Sequence, residues 1–103
     1  MREQEGFTII YIEEDNKPVA FAGFRRMQTL YAGKTIYIDD LSTLPDYRKN
    51  GYGKKLLNYI IDLARKENLD AIHLDSGHTR FDAHRLYLNM GFQISSHHFV
   101  LKL

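Results

Sequence analysis

The hydrophobic pattern changes its period near Pro45, and this divides the chain into two parts. Before that residue, β-branched and aromatic side chains dominate three runs, which are separated by turn formers at residues 15–18 and 32–34; the runs are FTIIYIEE, VAFAGFRRM and TIYIDDLSTL. Runs of this composition between turns are typical of a strand meander. We place the first recognisable strand at Phe7, with six residues before it. The third strand is predicted from Ile36 to Leu44.

After Pro45 the pattern is helical. Small and apolar residues recur every three or four positions, and mostly polar residues lie between them; the recurring residues are Gly53, Leu56, Leu57, Ile60, Ile61 and Ala64. This spacing predicts an amphipathic helix of about four turns.

A short strand, AIHLDS, is predicted from Ala71, and a second helix follows it. That helix carries four residues on one face at helical spacing, namely Ala83, Leu86, Tyr87 and Met90. Thr79 with Asp82 is typical of a capping box, and Gly91 is typical of a helix stop.

The end of the chain, FQISS and HHFVLKL, has the composition of strands, and we predict that its final apolar run is buried. The predicted order is therefore β-β-β-α-β-α-β-β. Since no repeat or linker interrupts this order, it belongs to one α/β (α+β) domain over residues 1–103.

Composition narrows the class of protein. With 103 residues the chain is long enough for a modest core, but it is short for an enzyme that encloses its substrate. It has no cysteine, no apolar signal core and no apolar run near the roughly 20 residues that span a bilayer. We therefore expect a cytoplasmic protein without disulfides, thiolate metal sites or membrane insertion. The formal net charge is only +1, and a nucleic-acid partner would need a wider basic surface than one loop, so we expect none.

The segment RKNGYGKK, residues 48–55, is the only dense basic cluster, and it lies between the third strand and the first helix. The first N–H groups of a helix have no partner within it, and together with the helix dipole they favour an anion. Gly51 and Gly53 let the backbone approach such an anion, and the flanking cations suit a pyrophosphate. The alternative is a turn before a solvated helix face, which Gly-x-Gly alone does not exclude. A P-loop and a dinucleotide fold are excluded, because the required spacing is missing and Leu56 replaces the third glycine.

Two segments resemble motifs of the GNAT family of acyl-CoA-dependent N-acetyltransferases. The stretch LSTLPDYRKNGYG, from Leu41 to Gly53, is similar to motif A, whose pyrophosphate loop has the form Arg/Gln-x-x-Gly-x-Gly/Ala after a strand and a proline. The stretch from Ser76 to Phe92, with Ser-Gly, an arginine, AHRLY and Gly-Phe, is similar to motif B. The two motifs stand in the family's order, and the resemblance extends from Phe7 to the C-terminus.

The resemblance implies a GNAT-like mixed, largely antiparallel sheet that splays open between the Ile36 strand and the Ala71 strand, with acetyl-CoA as co-substrate in the cleft. Backbone groups of Leu41 and Thr43 would bind the pantetheine arm like an added strand. The pyrophosphate would be bound by the loop that follows, at Arg48, Lys49, Asn50, Gly51, Tyr52, Gly53 and Lys54.

By the same resemblance, Tyr87 matches the tyrosine that protonates the leaving thiolate in many members of the family. Its place on the apolar face of the second helix also suits a core residue, whose buried hydroxyl would need a partner. Both interpretations stay open.

The reaction implied is direct attack of a neutral amine on an acetyl carbonyl that a backbone N–H near Leu41 polarises. Asp39 is the candidate base, on the strand where some relatives carry glutamate, and Asp40 would face the other side of the pleat, so that only one of the two faces the cleft. The alternatives are that both aspartates are solvated or bound to backbone, and that water takes the proton.

Five histidines raise the question of a metal site: His73, His78, His84, His97 and His98. Their spacings match neither the paired helical ligands nor the short ligand pairs of zinc sites, so we expect no metal. His84, although it lies within the second motif, is interpreted as a helix-surface or packing residue.

Two departures from the family pattern bear on the acceptor. The N-terminal strand and two helices that usually build the acceptor side have no predicted counterpart before Phe7, and Arg80 stands where many members carry asparagine. Three explanations are open: the chain is a truncated form, a second subunit closes the site, or the protein no longer transfers anything. We favour a homodimer in which a second copy supplies the missing wall. The expected function is acetyl transfer from acetyl-CoA to a primary amine of a small molecule or a protein; the alternative is a non-catalytic acyl-CoA-binding module.

Overall fold

A computed structural model describes residues 2–4, 6–30, 33–48, 50–75, 81–94 and 99–103 of the chain. Five strands form one sheet in the order β1-β2-β3-β4-β5; they are β1 (Arg2–Gln4), β2 (Phe7–Glu14), β3 (Lys17–Thr29), β4 (Gly33–Thr43) and β5 (Ala71–Leu74). Helix α1 (Tyr52–Lys66) joins β4 to β5, and helix α2 (Phe81–Asn89) comes after β5. A short 3₁₀-helix, Pro45–Tyr47, leads from β4 towards α1.

The predicted meander is confirmed. Strands β2, β3 and β4 pair antiparallel with one another. Asp15 and Asn16 connect β2 to β3, and their φ angles of +52° and +63° are those that a two-residue hairpin turn requires at both central positions. Glu14 and Lys17 pair directly beside this turn, and the register of the two strands then shifts by one residue between Glu13 and Ile12.

One face of the sheet packs against α1 and forms the core. Phe24, Ile36, Leu57 and Ile60 are completely inaccessible to solvent. The predicted amphipathic helix is thus confirmed, because its apolar positions lie against the strands and its charged positions are exposed. On the opposite face the strands carry Ile9, Tyr11, Phe21 and Tyr37, which remain partly or largely exposed.

Both helices end in the same way. The Phe92 N–H donates to the Tyr87 carbonyl (3.0 Å) and the Gly91 N–H donates to the Leu88 carbonyl (3.1 Å), which is a Schellman motif with Gly91 at φ +95°. At the end of α1 the Leu69 N–H donates to the Ala64 carbonyl (2.9 Å), with the preceding residue in the left-handed region. The predicted helix stop at Gly91 is confirmed, whereas Thr79 of the predicted capping box lies outside the described residues.

The predicted order lacked one strand at its start. β1 precedes the strand at Phe7 and pairs antiparallel with β2, with Arg2 opposite Ile9. Its three residues, REQ, show no hydrophobic alternation. An edge strand is bound through its backbone, so a polar side-chain pattern does not reveal it.

The two strands predicted at the end of the chain are not found among the described residues. Phe92, Gln93, Ile94 and residues 99–103 have no strand conformation, and residues 95–98 lie outside the described part of the chain. The final apolar run was predicted to be buried, but Phe99 and Leu101 are 90% and 84% exposed. An apolar composition favours a strand only where a sheet edge pairs with it, and these residues have no such pairing in this structure.

Strand β5 gives the sheet its mixed character. It pairs parallel with β4 over four positions, from Thr35 with Ala71 to Ile38 with Leu74. Among the described residues, β4 continues to Thr43 without β5 beside it, so the two strands separate beyond Ile38. The predicted splay between the Ile36 and Ala71 strands is therefore present. Neither described helix has the length and apolar character that a membrane-spanning segment requires.

Candidate functional site

A cleft opens where β4 and β5 separate. Residues from three elements line it: Ile38, Asp39, Asp40 and Leu41 from β4, Leu74 and Asp75 from β5 and its end, and Tyr87 from α2. The fold thus brings together three residues singled out from the sequence, namely Tyr87, Asp39 and Leu41. The lining combines three aspartates with Ile38, Leu41, Leu74 and Tyr87, and such a mixture of polar and apolar residues is common in ligand sites.

A β-bulge places two consecutive aspartates at this cleft. On β3, Gly23 pairs with Asp40 and Phe24 pairs with Ile38, so Asp39 is an extra residue without a register partner. Both aspartates are among the residues that line the cleft, and the bulge interrupts the alternation of the pleat between them. That only one of the two side chains faces the cleft stays a prediction. The alternation of residues along one strand cannot reveal a bulge, since a bulge arises from the pairing of that strand with another.

The start of α1 has the conformation expected of an anion site. Gly51 is the N-cap residue with φ +79° and ψ 14°, and no side chain among the described residues caps the helix. The first backbone bond of the helix runs from the Lys55 N–H to the Gly51 carbonyl (3.1 Å), so the N–H groups of Tyr52, Gly53 and Lys54 precede the intrahelical ladder.

The two glycines of this loop differ in backbone conformation and surroundings. Gly51 has a left-handed backbone, which favours glycine. Lack of space is not the reason, since a Cβ there would meet nothing within 4 Å. Gly53 is helical, and a Cβ on it would lie 3.4 Å from Cδ2 of Leu86, which is an ordinary contact, so packing against α2 does not by itself require glycine here. Arg48, Asn50 and Lys54 are exposed beside the helix start, while Lys49 lies outside the described residues.

Tyr52 contributes its backbone, and not its side chain, to this loop. The side chain is buried in the core, and its hydroxyl donates to the Glu14 carboxylate at the end of β2. This hydrogen bond, together with burial, raises the pKa of Tyr52 to about 12. The contact therefore fastens the start of α1 to the sheet.

Tyr87 belongs to the core and to the cleft at once. It is 8% exposed and its ring lies 6.0 Å from that of Phe92, measured between ring centroids. It also lines the cleft opposite the β4 carboxylates. The two interpretations of Tyr87 drawn from the sequence are therefore compatible, because the fold places one side chain at the boundary between core and cleft.

A network of side chains that the sequence did not reveal surrounds the point where the strands part. Arg25 of β3 donates to the Asp39 carboxylate (2.9 Å), and its guanidinium lies 5.7 Å from the centre of the Tyr37 ring. Tyr37 in turn donates its hydroxyl hydrogen to the Asp75 carboxylate, which raises the pKa of Tyr37. These contacts depend on the register of three strands, so local patterns could not identify Arg25, Tyr37 or Asp75.

The described residues contain no group of three or more side chains suited to binding a metal ion. His73 lies on β5, where its Nε2 atom is buried without a hydrogen-bond partner in the described structure. His84 is half-buried on α2. The remaining histidines, and the residues Ser76, Gly77 and Arg80 of the second motif, lie outside the described residues.

Comparisons with known proteins cover most of the chain. The sequence model of the Acetyltransferase (GNAT) family matches residues 1–92. The uncharacterised N-acetyltransferase YhdJ of Bacillus subtilis (strain 168) is 38% identical over 98 residues, which are 94% of this chain and 69% of that protein. A solved putative acetyltransferase from Agrobacterium tumefaciens str. C58 has a TM-score of 0.82 at 28% identity, over 97% of this chain and 71% of that one. A transcriptional regulator from Bacillus halodurans C-125, at 22% identity, shares the fold with a TM-score of 0.86 over 98% of this chain and 69% of its own.

Proposed function

The chain belongs to the GNAT family of acetyltransferases, whose general reaction moves an acetyl group from acetyl-CoA to an amine, and we propose that the cleft between β4 and β5 is where this chain carries it out. The observation that supports this most is the common position of Tyr87, Asp39 and Leu41 at one cleft. A polar cleft at the point where parallel strands diverge is also where α/β proteins commonly bind ligands.

We propose that acetyl-CoA binds along β4 towards the start of α1. Beyond Ile38 the β5 side of β4 has no strand partner among the described residues, which leaves backbone groups near Leu41 and Thr43 for the pantetheine arm. The pyrophosphate would lie against the backbone from residue 49 to residue 54, with Arg48 and Lys54 offsetting its charge. The helix start, the uncapped N–H groups and the cations support this placement.

The proposed chemistry is direct attack. The acceptor ammonium loses one proton to a base, the nitrogen lone pair forms the N–C bond, and the C–S bond of the thioester breaks. The thiolate leaves with a proton from Tyr87, and the second proton of the amine restores the Tyr87 hydroxyl. One proton reaches solvent in each turnover. Asp39 remains the base predicted from the sequence, although Arg25 already pairs with its carboxylate.

The acceptor side of the site is proposed to involve a second copy of the chain. The sheet face that α1 leaves uncovered carries Ile9, Tyr11, Phe21 and Tyr37, and the exposure of aromatic and aliphatic side chains there favours burial against another surface. Tyr37 also belongs to the network at the cleft, so this face and the site are continuous. A homodimer through this face is therefore our proposal for the assembly.

Thiol release from acetyl-CoA tests the function, with butylamine, putrescine, lysine and a short peptide with a free amino terminus as acceptors. Calorimetry measures acetyl-CoA binding on the same samples. We expect binding together with thiol release for at least one amine. Binding without release for any amine would indicate the alternative, a non-catalytic acyl-CoA-binding module, and an absence of binding would contradict both.

A further inference from the structure

Asp75 occupies a different electrostatic setting from Asp39, although both line the cleft. It directly follows β5, and the Tyr37 hydroxyl of β4 donates to its carboxylate. Tyr37 pairs in register with His73, so this hydrogen bond joins the two strands near the point where they separate. A phenol is a neutral donor, so the bond orients the carboxylate without adding a positive charge, and no cation among the described residues pairs with Asp75.

Asp39, in contrast, is bound to a cation. The Arg25 guanidinium donates to its Oδ1 atom at 2.9 Å, and the Asp39 side chain is 27% exposed. A guanidinium stays charged at every pH at which proteins are folded, and it competes with an ammonium ion for the same carboxylate. Asp39 is therefore the less suitable of the two for receiving a cationic acceptor.

Asp75 also has capacity for a further donor. An ionised carboxylate offers about four lone-pair positions on two oxygens, and the Tyr37 hydroxyl uses one of them. The hydrogen bond raises the pKa of Tyr37, so this hydroxyl keeps its proton at neutral pH and continues to hold Asp75. Tyr87 lines the same cleft, so the site brings together the proposed acid for the thiolate and a carboxylate that has no cationic partner among the described residues.

We propose that Asp75, rather than Asp39, is the catalytic carboxylate that binds the acceptor amine as its ammonium ion and takes up the first proton that leaves its nitrogen. This inference rests on the proposed function of the cleft. The N–H bond of the ammonium breaks as the carboxylate O–H bond forms, and Asp75 then passes the proton to solvent. The nitrogen lone pair that remains attacks the acetyl carbonyl.

Three matched amide substitutions test the assignment. Asp75→Asn removes the negative charge and keeps an oxygen that accepts the Tyr37 hydrogen bond. Asp39→Asn makes the same change in the carboxylate that the sequence suggested as the base. Asp62→Asn is the control, on the exposed side of α1. With the panel amine that has the highest kcat/KM, we expect a loss of about a hundredfold in Asp75→Asn at neutral pH. The loss in Asp39→Asn should stay below about tenfold, and the control should retain the wild-type rate.

The pH profile separates a base from a residue that only supports the fold. Near the pKa of the free amine, about 10, neutral amine no longer needs a carboxylate, so the deficit of Asp75→Asn should shrink as the pH rises. The charged and titratable groups of the described residues around Asp75 lie on four elements; they are Arg25 on β3, Tyr37, Asp39 and Asp40 on β4, His73 on β5 and Tyr87 on α2. A deficit that is constant with pH, or a larger loss in Asp39→Asn, would overturn the proposal.

Binding distinguishes a failure of this inference from a failure of the proposed function. Putrescine is titrated into each protein saturated with CoA, and we expect its affinity to fall about tenfold in Asp75→Asn and to be unchanged in Asp62→Asn. This fall would support Asp75 as the ammonium site even if no amine is acetylated. Turnover together with equal putrescine affinity in wild type and Asp75→Asn would overturn the inference and leave the proposed function intact.

Discussion

At the scale of single residues, the site depends on side chains that perform two tasks. Tyr87 fills part of the core, where its ring packs near Phe92, and it presents its other side to the cleft. Tyr52 is buried and holds the start of α1 against Glu14. In both cases a phenol supplies apolar area for packing and a hydroxyl for a specific contact. A substitution that removes only the hydroxyl therefore separates the two tasks.

We expect Tyr87→Phe to lower kcat about a hundredfold, because the leaving thiolate loses its proton donor. Acetyl-CoA binding and the free energy of unfolding should change little, since the ring remains in place. Steady-state rates across the pH range check this, with urea unfolding and calorimetry on the same variant. Unchanged turnover at all pH values would show that Tyr87 is not the general acid.

A second residue-scale prediction concerns the pair formed by Arg26 and Glu67. The Arg26 Nε and Nη2 atoms donate to the two oxygens of Glu67 at 2.7 and 2.6 Å, and this hydrogen bonding lowers the pKa of Glu67 from its ordinary value of 4.5. A lowered pKa in the folded state means that the stabilisation is present above pH 4.5 and is lost as the pH falls through the folded value. Both side chains are about one third exposed, so solvent screens the pair.

Glu67→Gln should therefore reduce the free energy of unfolding by about 0.5 kcal/mol at pH 7 and by nothing measurable at pH 3. Urea unfolding at the two pH values measures the difference. Asp62→Asn, which changes an exposed carboxylate elsewhere on α1, is the control and should show no such pH dependence. An equal effect of Glu67→Gln at both pH values would contradict an electrostatic origin.

At the scale of elements, the start of α1 differs from its middle. The middle of α1 packs on the sheet through Leu57 and Ile60, as in any amphipathic helix. Its start presents free N–H groups after Gly51, whose positive φ turns the chain into the helix. Gly91 has a positive φ as well, but it ends α2 through backbone bonds and has no free donors to offer a ligand.

The two glycines allow a matched comparison. Gly51→Ala and Gly91→Ala each place a Cβ on a left-handed backbone in open space, so each should lower the free energy of unfolding by about 1 kcal/mol. Only Gly51→Ala should also weaken acetyl-CoA binding, by about tenfold or more, because it disturbs the N–H groups at the helix start. Denaturation and calorimetry measure the two effects, and equal binding by both variants would exclude an anion site at α1.

At the scale of the whole molecule, the sheet is covered on one face only by the described elements. Tyr11 lies on the open face, and it is 45% exposed. Tyr59 lies on α1 and has the same exposure of 45%. A homodimer through the open face would bury the first of these residues and leave the second in solvent.

Analytical ultracentrifugation measures the oligomeric state directly. We expect the wild-type mass to be twice the 12.1 kDa of the chain, and we expect Tyr11→Lys to shift it towards the monomer. Tyr59→Lys should remain dimeric, because it adds the same charge on the other side of the molecule. A monomeric wild type that turns over acetyl-CoA would contradict the proposed assembly.

Much of this molecule was predictable from local patterns. The meander, the amphipathic α1, the stop at Gly91 and the order of the central elements follow from periods of two and 3.6 residues and from turn chemistry. The edge strand β1 was not predicted, and the strands predicted after α2 are not found among the described residues. Whether such segments pair with a sheet depends on an available edge, which composition does not report.

By itself, the sequence determined the family, the loop at the start of α1 and the candidates Tyr87 and Leu41, because these lie in motifs whose members are close along the chain. Asp39 was a candidate from its place on the strand just before the first motif. Only the tertiary structure distinguished the two carboxylates, because it pairs Asp39 with Arg25 and gives Asp75 no cationic partner among the described residues. The bulge at Asp39, its pairing with Arg25 and the hydrogen bond from Tyr37 to Asp75 all depend on the register between segments 14 to 38 residues apart. Register between strands results from the packing of the whole sheet, so no local pattern contains it.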